Sequence, residues 1–132
     1  MKSNQSDLCP CQSGKQYAIC CGPFHKGKIH APTAETLMRS RYTAYAQGNA
    51  QYIYRTWHEK TRPSLQSLRD SEPQALVALK IVSTLEGGED DQKGMVEFIA
   101  TYESPKDEPL EQHKEKSLFV RAKGRWVYID AV

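Results

Sequence analysis

The chain has 132 residues, with 18 lysines and arginines against 16 acids, four histidines, four cysteines and a formal net charge of +2. That length suits one domain with a real core, with room for a small appendage, and 39% apolar with 26% charged residues is an ordinary globular composition. A mean hydropathy of −0.68, with no long apolar run, excludes a membrane-spanning helix. Met1 to Leu8 is polar and lacks the apolar centre of a secretory signal, so a cytoplasmic location is expected. The charge is uneven. Residues 1–62 hold nine lysines and arginines against three acids, and residues 63–132 hold nine against thirteen. The basic half favours an acidic partner, but its charge density is below that of a dedicated nucleic-acid binder.

All four cysteines fall in one short segment, as Cys9-x-Cys11 followed by the adjacent Cys20 and Cys21, with His25 four positions further on. A disulfide framework is a poor reading, because nothing marks the chain for an oxidising compartment and neighbouring cysteines bond only with backbone strain. Four thiolates suit a closed, tetrahedral, structural Zn²⁺ site, with no position left for a catalytic water. Pro10 stiffens the first pair, Ser13-Gly14 supplies a turn whose N–H groups can face sulfur, and Gly22 allows an unusual exit from the second pair. The expected ligands are Cys9, Cys11, Cys20 and Cys21, with His25 as the alternative to Cys21 in the fourth place. A knuckle this small needs its metal to fold.

These residues, with Ser13, Gly14, Tyr17 and Gly22, resemble the SEC-C zinc motif named for the C-terminus of the SecA translocase. The resemblance implies metal binding by the same four cysteines. It says little about activity, since the motif is attached to many different proteins.

Lys26 to Pro32 reads as a linker broken by Gly27 and Pro32. Thr33 is an expected N-cap, with Glu35 in the first turn where the helix dipole favours an acid. Ala34, Leu37, Met38, Tyr42 and Tyr45 form one helical face, and Gly48 ends that helix. Asn49 caps a second helix reaching about Trp57, and a short turn is expected around Leu65 to Arg69. The period then changes to two. Val77, Leu79, Ile81 and Leu85 alternate in a first strand, followed by the polar loop from Gly87 to Asp91. Val96, Phe98, Ala100 and Tyr102 mark a second strand, and Ser104 to Pro109 a proline-containing loop. A third strand from about Gln112 ends in Leu118, Val120 and Ala122. Lys123-Gly124 then turns into a fourth, Arg125 to Asp130. Helices followed by hairpins predict an α+β fold: a zinc knuckle, then N-terminal helices packed on a curved four-stranded antiparallel sheet.

This arrangement resembles the cystatin-like cone of the nuclear-transport-factor-two superfamily. The run Ala34 to Tyr45, with Tyr52, Thr56-Trp57-His58 and Thr61-Arg62-Pro63, is similar to the YchJ-like family, which joins a SEC-C motif to such a cone. The implied division is residues 1–27 as zinc motif and 28–132 as the nuclear-transport-factor-two-like domain. Some members carry a second SEC-C motif after the cone. None occurs here up to Val132, so functions needing two zinc modules are not expected.

Cones of this kind leave a pocket at the wide end. Its candidates are Arg39, Arg41, Tyr42, Tyr45, Tyr52, Trp57, Arg62 and Trp126, with His58 as the one residue available for proton transfer. Arg39 and Arg41 differ by about 200° around a helix, so at most one faces inward. No nucleotide loop, nucleophile elbow or paired-carboxylate motif is present, and the reading leans away from an enzyme. Two functions follow. The first is a zinc-binding adaptor whose SEC-C module, rimmed by Lys15, Lys26 and Lys28, contacts a protein partner, with a ribosomal or nucleic-acid partner as the lesser expectation and no membrane role. The second is a cone pocket that takes a small anion through Arg39 or Arg41, Trp57 and His58.

Overall fold

The computed structural model describes residues 8–103 and 110–132; the loop expected from Ser104 to Pro109 lies outside the described residues. A short knuckle opens the chain, made of a bridge between Leu8 and Gln16, a 3₁₀ turn at Tyr17–Ile19 and the one-turn helix α1 (Gly22–His25). Three helices follow: α2 (Ala34–Gln47), α3 (Ala50–Arg55) and α4 (Leu65–Asp70). The strands β1 (Leu76–Glu86), β2 (Lys93–Tyr102), β3 (Glu111–Ala122) and β4 (Arg125–Ala131) form an antiparallel meander in that order. Among the described residues no helix is long and apolar enough to cross a membrane.

Local chemistry sets the helix boundaries. The Thr33 hydroxyl accepts the Thr36 N–H and the Asn49 side chain accepts the Tyr52 N–H, each satisfying a donor that the first turn leaves free. Gly48 ends α2 at φ +73°, in the left-handed conformation that costs glycine nothing. The second helix stops at Arg55 rather than Trp57. Thr56–His58 instead pairs with the β4 edge, where Tyr128 N–H donates to Thr56 O and His58 N–H to Tyr128 O.

The concave face of the sheet packs under α2. Val96, Phe98 and Ala100 line it as expected, opposite Thr84, Ile81 and Leu79. Two register shifts change the face of β1, one between Leu76 and Ala78 and one between Ile81 and Ser83. Val77 and Leu85 therefore point away from the core although their spacing predicts burial. On β3 the inward residues are Glu115, Ser117 and Phe119, set opposite Phe98, Val96 and Gly94. Leu118, Val120 and Ala122 have the other parity, because this strand is apolar on both faces near its end and alternation alone cannot choose between them.

Hydrogen bonds from three elements fasten the start of α2, the linker and the β1–β2 loop to the sheet. Ala34 N–H donates to Gly87 O, Trp126 Nε1 donates to the linker carbonyl of Pro32, and Arg121 closes the Gly87–Asp91 loop by donating to Asp91 O and Glu89 O. The β1–β2 turn is tight enough that a Cβ on Gly94 would lie 2.3 Å from Gly87 Cα. Gly94→Ala is therefore expected to cost about 2–3 kcal/mol, as overpacking against rigid backbone does. Gly14→Ala, facing open space at φ +85°, is expected to cost only the conformational penalty of about 1–2 kcal/mol. Urea unfolding of the two variants measures the difference.

Candidate metal centre and cone cavity

Cys9 and Cys11 sit on the turn that follows Leu8, where Cys9 N–H donates to Lys15 O and Gln12 takes a left-handed φ of +71°. Cys20 and Cys21 arrive at the end of the 3₁₀ turn. Gly22 is required there because a Cβ would meet Tyr17 O at 2.9 Å, so close approach rather than unusual dihedrals explains this glycine. The four sulfur atoms lie within 4.8 Å of one another, and Cys11 Sγ is 3.6 Å from Cys20 Sγ. A tetrahedron with metal–sulfur distances of about 2.3 Å places its sulfurs about 3.8 Å apart, so the donor set fits such an ion. Cys9, Cys11 and Cys21 are buried.

Crowding couples the thiols. Contacts from Cys11 and then Cys21 hold the Cys9 thiol far below its usual range, whereas Cys11, Cys9 and burial push Cys21 far above it. The sulfurs thus form one electrostatically linked group, in which a bound cation would deprotonate the thiols that coordinate it. Side chains, more than the turn's backbone, serve the sulfurs: Ser13 Oγ lies 3.2 Å from Cys20 Sγ and Thr43 Oγ1 lies 3.6 Å from Cys9 Sγ.

His25 stands apart from the sulfurs. Its Nε2 donates to Ser40 O at 2.8 Å, which leaves Nδ1 of the neutral ring to accept from Tyr17 OH at 2.8 Å. Burial lowers its proton affinity and favours that neutral form. With both ring nitrogens engaged, the histidine works as a strut between knuckle and α2. Ser40 Oγ continues the network to Tyr52 OH at 2.6 Å. Arg39, expected as a pocket residue, faces the knuckle instead. It donates to Cys11 O at 2.8 Å and pairs with Glu35. Arg55 donates to Phe24 O and His25 O from α3. The seam between knuckle and cone is thus as polar and specific as the sulfur cluster itself.

The remaining pocket candidates separate into two cavities. A larger one, of about 560 Å³, lies between α2 and the concave sheet face and is lined by Arg41, Tyr42, Tyr45 and Trp57. A second, of about 360 Å³, lies beside the linker and takes Tyr52, His58, Arg62 and Trp126, with Trp57 shared between the two. His58 Nδ1 accepts the Lys60 N–H, and among the described residues His58 has no carboxylate partner. The sequence reading missed Glu115, Tyr128 and His113 in the larger cavity. The inward parity of β3, once Phe119 is seen to be core, is the signal that finds the first and the last.

Fold and cysteine site together define a cone domain carrying a SEC-C metal knuckle. The middle nuclear-transport-factor-two-like domain of YchJ matches residues 33–131, the SEC-C motif matches residues 6–23, and the chain belongs to the YchJ family. A UPF0225 protein of Deinococcus radiodurans is 47% identical over 93% of this chain and 87% of its own length. Another, from Streptomyces coelicolor, is 43% identical over 92% of each chain. Among solved structures, the SEC-C motif containing protein RPA3114 of Rhodopseudomonas palustris superposes with a TM-score of 0.82. It is 35% identical, over 94% of this chain and 96% of its own. A SEC-C motif containing protein of Psychrobacter arcticus gives 0.75 at 28% identity, over 92% of this chain and 80% of its own.

The histidine and the cysteine give opposite expectations on substitution. Cys21→Ser should abolish metal retention, while His25→Ala should keep the metal and lose about 2–3 kcal/mol of stability through two broken buried hydrogen bonds. Metal analysis of the dialysed proteins beside their thermal melts decides this. Loss of metal from His25→Ala would return the histidine to the ligand set.

Proposed function

We propose that this chain is a zinc-binding, non-enzymatic adaptor of the cytoplasm, whose knuckle and adjoining groove receive an acidic protein partner. The convergence of four thiols on a mutual spacing of 4.8 Å or less is the observation that carries the metal reading. Reduced thiols suit the cytoplasm, and four sulfurs saturate a tetrahedral ion. Bound there, Zn²⁺ would supply folding free energy and a rigid cross-link between the two cysteine pairs, with no coordination position open to substrate.

Charge supports the partner reading. The smaller cavity runs between α1, the linker and the β3–β4 turn, and its lining includes Arg55, Arg62, Lys123 and Arg125 against the single acid Glu59. Arg55 and Arg62 are held in place, the first by the α1 carbonyls and the second over the Tyr54 ring at 3.9 Å. Lys15, Lys26 and Lys28 are exposed on the same end of the chain, and the apolar Ile19 and Ile29 beside them are also exposed, Ile19 at 70%. Such a basic rim around apolar anchors raises encounter rates with acidic surfaces and is weakened by salt.

The intact protein, a Cys9→Ser/Cys11→Ser variant and a Lys123→Glu/Arg125→Glu variant should be compared as baits. The expected result is a partner retained by the first and lost from both variants, with retention falling as salt rises. Identical partner lists for all three would eliminate the adaptor reading, and recovery of ribosomal RNA in place of an acidic protein would redirect it. Chelation is expected to unfold residues up to about 25 and, through the shared seam, to lower the melting temperature of the cone while its sheet signal in circular dichroism persists.

A further inference from the structure

The larger cavity points to a ligand independently of the metal knuckle. Arg41 on α2 is only 6% exposed, yet among the described residues it forms no ion pair. Its Nη1 donates to Ile53 O at 3.0 Å and Thr56 Oγ1 at 2.8 Å, which ties α2 to α3. Its guanidinium carbon is boxed by aromatic rings, 4.9 Å from the centroid of Tyr128, 5.1 Å from Trp57 and 5.9 Å from Tyr45. Aromatic faces soften the burial of a cation but do not neutralise it.

Two further donors are left over in the same cavity. Tyr42 and Trp57 both line it, and Tyr42 OH and Trp57 Nε1 are buried with no hydrogen-bond partner among the described residues. Buried polar atoms of this kind normally find a partner, and an orphan pair on one cavity wall calls for an acceptor from outside. The acid of the lining, Glu115, is already engaged: Oε2 accepts from Ser117 Oγ and Tyr128 OH, and Oε1 lies 2.9 Å from His113 Nε2. Glu115 keeps its negative charge through these contacts and acts on the guanidinium across the cavity, but among the described residues it makes no ion-pair contact with Arg41, and the two neutral donors are unpaired. Met38, Leu76, Phe98, Ala100 and Phe119 supply apolar wall around it, and a volume of about 560 Å³ lies within the usual range for small-molecule sites.

We propose that the cavity over Arg41 binds a small organic monocarboxylate, its carboxylate held by Arg41, Tyr42 OH and Trp57 Nε1 and its apolar body against the concave face of the sheet. Carboxylate matches a planar guanidinium flanked by two donors, and a single anionic group matches the single unpaired cation. Of the two α2 arginines, only Arg41 takes the anion. Arg39 faces the knuckle and His58 opens on the other cavity, so this site differs from the one the sequence suggests.

The chain carries two tryptophans, which makes the test internal. Trp57 lines the cavity and its indole N–H is unpaired among the described residues, whereas Trp126 donates to Pro32 O and serves as the control. The zinc-loaded full chain, labelled with ¹⁵N, is titrated with acetate, hexanoate, benzoate and phenylacetate, and with benzamide as the uncharged counterpart. At least one carboxylate is expected to shift the Trp57 indole resonance saturably while Trp126 stays still and benzamide has no effect. Tyr42→Phe should weaken that binding about tenfold, the equivalent of one hydrogen bond, without lowering the melting temperature, because it removes an unpaired buried hydroxyl. Arg41→Gln should abolish binding; if that variant fails to fold, Tyr42→Phe carries the test. A Trp57 resonance that none of the four carboxylates moves, or that benzamide moves equally, would overturn the proposal. Either result leaves the metal site and its partner unaffected.

Discussion

The structure depends on the seam along which the cysteine knuckle is seated on α2. A helix carbonyl keeps a second lone pair after its ladder bond is made, and here Ser40 O uses it to accept from the His25 imidazole while Arg39 O lies 3.8 Å from the Cys21 sulfur. Arg39 returns a hydrogen bond to Cys11 O, and Thr43 reaches the Cys9 sulfur. Three cysteines consequently belong to the same buried cluster as Leu37, Met38 and Tyr42. A segment too short to enclose a core of its own thereby borrows one.

The opposite side of α2 has a separate task. Met38, Arg41, Tyr42 and Tyr45 roof the cavity, about half a rotation around the helix from Arg39, Ser40 and Thr43, which hold the knuckle. The buried arginine is both a tie to α3 and the positive end of a cavity, and these roles do not compete, since Nη1 alone makes the ties to Ile53 and Thr56. A purely structural arginine would be expected to have its charge matched. Glu115, the acid of the lining, acts on that charge only from a distance, since its oxygens bond Ser117, Tyr128 and His113 and it makes no contact ion pair with Arg41 among the described residues.

Features set by a few neighbouring residues were legible in the sequence. Thr33, Gly48 and Asn49 act where their chemistry places them, and the spacing of Cys9, Cys11, Cys20 and Cys21 is enough to foresee their convergence. Features set by tertiary phase were not. Which of Arg39 and Arg41 turns inward depends on how α2 is rotated over the sheet. The parity of β3 depends on its register with β2, and the exposure of Leu85 on the shift between Ile81 and Ser83, which no residue in β1 announces. His25 looked like a ligand because sequence distance from a cysteine pair is blind to Ser40, which comes fifteen residues later.

The hydrogen bonds from Arg39 and to Ser40 also bear on portability. SEC-C segments are read as self-contained tags, but in this chain the acceptors and donors that finish the tag are encoded beyond its end, on a helix that begins at Ala34. A graft cut at the linker would carry the sulfurs and leave behind the groups that bury them. Modularity in this protein therefore extends through α2: the smallest transplantable unit is the knuckle together with the helix on which it rests.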